Sequence, residues 1–165
     1  MFDSLFAWLE LTAASVWLRE SLSMFALPGI LAAHTVGLGF VAGLGGAFDL
    51  RLLGVGRGIP PTAFERFLPV MWIGLWLNIL TGIALVLAYP TKALTNPIFY
   101  LKLGLIAFAL MIFRTLLQRA QDGRTEASTT RILAIASLVV WAGAIAAGRL
   151  MAYTCTRLMV DETCR

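Results

Sequence analysis

Four long apolar stretches occupy more than half of this 165-residue chain and constrain its fold more than any other feature. A helix needs roughly 20 mostly apolar residues to cross the hydrocarbon core of a bilayer, and each stretch meets that length. Because little chain remains, the sequence predicts an all-α, polytopic membrane four-helix bundle that forms a single domain over residues 1–165. The predicted spans cover residues 23–48, 67–89, 97–117 and 132–153.

The composition agrees with a membrane protein. Hydrophobic residues make up 59% and charged residues 13% of the chain, whereas soluble domains average about 45–50% and about 25%. The net charge of +4 comes from arginines between the apolar stretches, which indicates membrane topology and not nucleic-acid binding. The glycine-rich stretch 37–46 lies inside a predicted span with no strand before it, which excludes a phosphate-binding loop.

Residues 2–18 form an apolar segment of a different kind. The segment lacks the basic start of a signal peptide. It is short for a span and carries Glu10 at its centre, while Trp8 and Trp17 suit the headgroup level. We therefore expect an amphipathic helix over residues 2–20 that lies in the interface. A fifth span is the alternative, and it would change only the side of the N-terminus.

Basic residues between the spans predict the orientation of the bundle. Arginines cluster after the first and third predicted spans, and short loops rich in arginine stay in the cytoplasm. The tyrosines lie at the opposite ends of spans two, three and four, where an aromatic belt is expected. The C-terminal tail, residues 154–165, is then outside. The arginines are Arg51, Arg57, Arg66, Arg114, Arg119, Arg124 and Arg131, and the tyrosines are Tyr89, Tyr100 and Tyr153.

Both cysteines, Cys155 and Cys164, belong to this tail. On the predicted topology they face an oxidising compartment, which permits a disulfide between them. A metal-binding or reactive pair is the alternative, for which two cysteines without further ligands are weak support.

Few polar side chains fall inside the spans, and the single histidine, His34, is the most unusual of them. An ionisable group is expensive in hydrocarbon and usually marks a functional site. Asn78 lies near mid-span, Lys102 opens the third span and Arg149 lies near the end of the fourth. The predicted topology places the histidine and both cations in the outer half, so these four residues form the candidate site.

Several roles of His34 stay open. A neutral imidazole could bond to Asn78 or to a backbone carbonyl and fix the packing, or it could relay protons or bind a substrate. It could also be a metal ligand, as an axial ligand of haem iron, with Lys102 and Arg149 holding the propionates. One histidine per chain rules out two histidine ligands within a monomer, so the second ligand would be methionine, lysine, a residue of a second copy, or none.

Small residues on two spans suggest close helix contacts. Gly39 and Gly43 form a GxxxG motif in the first span, and Ala144 and Gly148 form its equivalent in the fourth. Such faces let helices approach closely within one chain, in self-association, or against other membrane subunits.

The chain resembles a family of small four-helix bacterial inner-membrane proteins, a domain of unknown function. The resemblance is carried by residues 17–39, which include Leu27-Pro-Gly-Ile-Leu-Ala-Ala-His34, and by residues 49–54. It implies the fold and the bacterial inner membrane, and no activity. Later segments that fit the same pattern are residues 81–82, 96–103 and 147–153.

A more distant similarity is to the copper-resistance D proteins and the membrane-bound protoporphyrinogen oxidases. These proteins have a histidine in an early span and a lysine that opens a later one, and His34 and Lys102-Leu103 occupy comparable places. The oxidases place a further histidine near the end of the lysine helix, where this chain has Phe113-Arg114. That departure argues against a bis-histidine haem and against the oxidase activity.

The leading hypothesis is a cofactor-binding or electron-transfer membrane subunit, with haem b centred on His34. The alternative is an accessory subunit of a larger membrane complex that has no cofactor of its own. Small-solute or metal-ion transport has thinner support, since four spans and one histidine make a poor pathway. Whether the protein catalyses a reaction stays open. Catalysis by a nucleophile or by paired carboxylates has poor support, because no predicted span holds an aspartate or glutamate near His34.

Overall fold

The computed structural model describes residues 8–125 and 127–153, and all regular structure within them is helical. The tail with Cys155 and Cys164 and the first part of the predicted interfacial helix lie outside the described residues. A 3₁₀ helix, Pro61–Phe67, directly precedes the long helix that begins at Leu68. The α-helices are α1 (Ala13–Glu20), α2 (Leu27–Leu52), α3 (Leu68–Ala88), α4 (Pro90–Leu94), α5 (Pro97–Gln121) and α6 (Ser128–Tyr153).

Four helical segments are long and apolar enough to cross a membrane. Large apolar side chains cover their outer faces, as on α3, where Trp72, Ile73 and Trp76 are more than half exposed. An apolar exterior of this kind is suited to lipid and not to water. The protein is therefore a multi-pass membrane protein with the predicted all-α bundle. The candidate spans are Leu27–Leu52, Pro61–Ala88, Pro97–Gln121 and Ser128–Met151.

The first span lies about four residues further along the chain than the sequence predicts. It begins at Leu27 because Pro28 occupies the first turn, where a fixed φ and a missing N–H are tolerated. It ends at Leu52 and so includes Asp49, a residue that the predicted boundary at position 48 leaves outside. His34 is consequently seven residues from the start of the helix, about 10 Å along its axis.

Helix α1 docks on the C-terminal end of α3. Arg19 donates to the carbonyl oxygen of Ala88 at 2.9 Å, and Ser15 donates to the same oxygen at 3.4 Å. A cation at this position offsets the partial negative charge of the helix end. Eight residues are too few to cross a bilayer, while buried Leu18 beside half-exposed Trp17 gives α1 two different faces. These features agree with the interfacial helix.

The four long helices form two antiparallel hairpins. Helix α2 packs mainly on α3, α5 packs mainly on α6, and the contact between α2 and α6 joins the pairs. Two ends of the bundle are distinguished below. The α1 end carries α1 and α4, and the arginine end carries residues 53–67 and 122–125.

The largest buried apolar side chains gather toward the arginine end. The Phe48 ring lies 5.4 Å from that of Phe64 and 5.5 Å from that of Phe113, measured between ring centroids. Leu116 is fully buried in the same cluster. Toward the α1 end the interior holds smaller side chains, such as Ala144 and the glycines described next. The largest buried apolar side chains thus lie near the arginine end, and smaller ones lie toward the α1 end.

Gly37 and Gly74 mark the closest approach of α2 and α3. A Cβ on Gly37 would lie 2.8 Å from the Gly74 carbonyl oxygen and 3.0 Å from the Asn78 backbone nitrogen. The predicted GxxxG residues, Gly39 and Gly43, are instead exposed, with no heavy atom within 4 Å of a Cβ there. The two helices therefore meet through a glycine pair that the motif did not identify.

Replacing Gly37 by alanine should destabilise the bundle, whereas the same change at Gly39 should not. The new methyl at Gly37 meets backbone atoms of α3 that cannot rotate away, which we expect to cost about 1–3 kcal/mol. At Gly39 the added methyl meets open space, and the higher helix propensity of alanine favours it by up to about 1 kcal/mol. Thermal unfolding of both variants in one detergent checks this. Equal melting temperatures would contradict the close approach.

Candidate functional site

His34 is bound to α3 through a hydrogen bond between its Nδ1 and the Thr81 hydroxyl, 3.0 Å apart. The Thr81 hydroxyl in turn donates to the Leu77 carbonyl oxygen at 2.6 Å. A hydroxyl has one proton, so with that proton directed to Leu77 the Thr81 oxygen accepts from the imidazole. We infer that His34 carries its proton on Nδ1 and that Nε2 presents an unprotonated lone pair.

Asn78 fixes the backbone at the same level. Its Nδ2 donates to the carbonyl oxygen of His34 at 2.8 Å. The sequence suggested a bond from the imidazole to Asn78 or to a backbone carbonyl. The ring instead bonds to Thr81, because Thr81 lies one helical turn further along the same face of α3.

Gly82 lets the imidazole lie against α3. A Cβ on Gly82 would be 3.4 Å from Cε1 of His34, in tight contact with the ring edge. The imidazole is only partly buried, and Nε2 forms no hydrogen bond with the described residues. One nitrogen of the ring is therefore held by the protein, and the other is available to a ligand.

Lys102 reaches the same region from α5. Its side chain packs on Gly148 of α6, where a Cβ would lie 3.6 Å from Cε and 3.7 Å from Nζ of the lysine. Its charge is close enough to act on His34. Its half-buried ammonium group forms no hydrogen bond with any described residue. An ammonium that is partly removed from water without a partner is suited to an anionic group.

Arg149 does not join the other predicted site residues. It follows Gly148 on α6, but its side chain is exposed and takes part in none of these contacts. The structure thus brings together His34, Asn78 and Lys102 and leaves Arg149 outside. The histidine site comprises His34, Asn78, Thr81, Gly82, Lys102 and Gly148.

The histidine site pairs a lone-pair donor with a cation. The described residues contain no group of three histidine, cysteine or carboxylate side chains that could hold a metal ion. Nε2 could therefore serve as a single ligand to a metal whose other ligands come from elsewhere, such as the prosthetic group of a haem. The anionic edge of such a group would find its counter-charge at Lys102.

Two residues were underrated from the sequence. Thr81 is not among the predicted site residues, although its spacing from Asn78 and Gly82 places it on their face of the helix, where it could be a histidine partner. The predicted first span ends one residue before Asp49, although Asp49 follows Val41 and Gly45 on the buried face of α2.

Replacing Thr81 by valine should destabilise the α2–α3 hairpin by about 1 kcal/mol, a typical value for a hydrogen bond between membrane helices. Thr115 provides a matched control, because its hydroxyl also donates to a carbonyl one turn earlier but is exposed on α5. Unfolding by denaturant in mixed micelles measures both changes. If Thr115→Val lowers the free energy of unfolding as much as Thr81→Val, the hydrogen bond between the helices does not contribute to stability as predicted.

Comparison of the chain with known protein families, with curated proteins and with solved structures gave no match. The family resemblance therefore stays a prediction.

Proposed function

We propose that this protein is a membrane subunit that binds haem b through His34 and serves in electron transfer. The observation that carries the proposal is the hydrogen bond between Nδ1 of His34 and the Thr81 hydroxyl. Ligating histidines commonly donate their other ring N–H to a protein oxygen, which sets the tautomer and the orientation of the ring. Thr81 supplies that oxygen, so Nε2 of His34 presents its lone pair to a metal.

The other residues of the histidine site support the same assignment. Lys102 would neutralise a propionate, since its ammonium has no hydrogen-bond partner among the described residues. Asn78 holds the His34 backbone, and Gly82 keeps the imidazole against α3. Haem would supply one-electron exchange. The protein would supply the axial ligand, the counter-charge and the apolar surroundings.

A single histidine leaves one face of such a haem without a second histidine from the same chain. Five-coordinate iron or a haem shared between two copies would satisfy this limit. Exposed Gly39 and Gly43 on α2 offer a face for a second copy or for another subunit. Ala144 is buried and Gly148 lies against Lys102, so that pair is used inside the chain.

We further propose that the protein lies in a bacterial inner membrane. The arginine end would face the cytoplasm, because basic residues in short loops are retained there. The histidine site lies toward the α1 end and would then belong to the outer half, with the C-terminus outside.

An accessory role without a cofactor is the second candidate. It is favoured by the hydrogen bonds from His34 and Asn78, both of which join α2 to α3. In that case the histidine site serves only to hold the hairpin together.

Visible spectroscopy of the protein purified in detergent separates the two roles. With haem supplied during expression, we expect a Soret band that sharpens on dithionite reduction and disappears in His34→Ala. A colourless wild-type protein under these conditions would contradict haem binding and favour the accessory role.

Lys102 and Arg149, the two cations of the predicted site, provide a matched pair for the same assay. Lys102→Met should weaken haem retention, because it removes the charge beside His34. Arg149→Met should leave retention unchanged, since that side chain is exposed and separate from the site. Equal losses in both variants would indicate a general charge effect and contradict the role of Lys102.

A further inference from the structure

Helices α2 and α6 enclose a second polar cluster that the histidine site does not use. The Asp49 cluster consists of Asp49 on α2 and of Ser137 and Trp141 on α6, which are 0%, 0% and 4% exposed. Both carboxyl oxygens of Asp49, the Ser137 hydroxyl oxygen and the Trp141 indole nitrogen are buried and have no hydrogen-bond partner among the described residues. Such atoms are uncommon in folded proteins, and each calls for a physical explanation.

The side chains of Asp49, Ser137 and Trp141 lie in the contact between α2 and α6. The Ser137 hydroxyl lies against the Asp49 carboxyl. One turn away on each helix, a Cβ on Gly45 would lie 3.2 Å from the indole nitrogen of Trp141. The unpaired polar atoms therefore lie in the contact that joins the two hairpins.

Within the part of the chain that the structure describes, no cation neutralises the Asp49 carboxyl. Arg51, two residues further along α2, uses its guanidinium to bind the carbonyl oxygens of Ile59 and Arg57. No charged side chain among the described residues acts on the carboxyl. The other charged residues near this end of the packed helices are exposed or partly exposed: Glu65 and Arg66 on the 3₁₀ helix, Arg114 and Arg119 on α5, and Arg131 on α6.

The donor set is unsuited to a metal ion. Hard cations take six or more oxygen ligands, and Asp49 and Ser137 together offer three side-chain oxygens. The Trp141 N–H is a donor only and would repel a cation. A carboxylate left alone in such surroundings is so unfavourable that it takes up a proton instead.

We propose that the Asp49 cluster is a proton-binding site. The Asp49 carboxyl carries a proton in the folded protein, which removes the cost of burying an ionised group that has no hydrogen-bond partner among the described residues. Release of that proton leaves an unpaired negative charge between α2 and α6. Because this contact joins the hairpins, proton binding at Asp49 stabilises their packing, independently of any cofactor at His34.

Infrared spectroscopy of the full-length protein in lipid vesicles at neutral pH tests the proposal. A protonated carboxyl gives a C=O stretching band above the amide I region, which an ionised carboxylate does not give. We expect this band in the wild type, and we expect it to shift when only aspartate carboxyls are labelled with ¹³C. Asp49→Asn should abolish the band, and Asp122→Asn, at an exposed aspartate, should retain it.

A further variant keeps the test decisive if Asp49→Asn does not fold. The chain has four aspartates, Asp3, Asp49, Asp122 and Asp161, so D3N/D122N/D161N leaves Asp49 alone and should keep the labelled band. The proposal is overturned if the wild type lacks the band, if ¹³C-aspartate does not shift it, or if this variant loses it. Persistence of the band in folded Asp49→Asn would overturn it equally.

Discussion

The close approach of α2 and α3 at Gly37 and Gly74 is the contact on which the histidine site depends. Because neither glycine has a side chain, the two backbones come near enough for short polar side chains to bridge them. Thr81 reaches the imidazole of His34 at 3.0 Å, and Asn78 reaches the backbone of the same residue at 2.8 Å. A wider separation of the helices would place both bonds beyond reach, since threonine and asparagine are short. The orientation of the imidazole is therefore a consequence of backbone packing.

Helix α2 connects the two polar regions of the bundle. His34 and Asp49 are 15 positions apart in the sequence, about 22 Å along a helix. His34 faces α3 within one hairpin, and Asp49 faces α6 across the contact between the hairpins. The aromatic cluster around Phe48 lies near the Asp49 level and supplies apolar packing there. The α1 end has smaller buried side chains, and the imidazole of His34 there is partly exposed. This end of the bundle is therefore the one suited to a ligand.

The membrane bundle could be predicted from the sequence because lipid requires long apolar helices that satisfy their own backbone hydrogen bonds. Shared depth along the spans also grouped His34, Asn78 and Lys102 as candidate site residues, and hydrogen bonds join His34 to Asn78 and Thr81 of α3. Depth says nothing about direction around a helix, however, so it could not predict that Arg149 is exposed on α6 while Lys102 is partly buried. For the same reason the GxxxG pattern could not show that Gly39 and Gly43 lie on the outward face of α2. Asp49 was missed because hydropathy alone ends a span at a charged residue, whereas tertiary burial extended this one.

The central claim is that Thr81 accepts the Nδ1 proton of His34 and leaves Nε2 unprotonated. ¹⁵N NMR of the imidazole tests it most directly, because the chain has a single histidine and its signals need no assignment. In cofactor-free protein in lipid at neutral pH, we expect one protonated nitrogen, identified as Nδ1, and one unprotonated nitrogen. We also expect Thr81→Val to perturb the Nδ1 signal. A proton on Nε2, or protons on both nitrogens, would contradict the account.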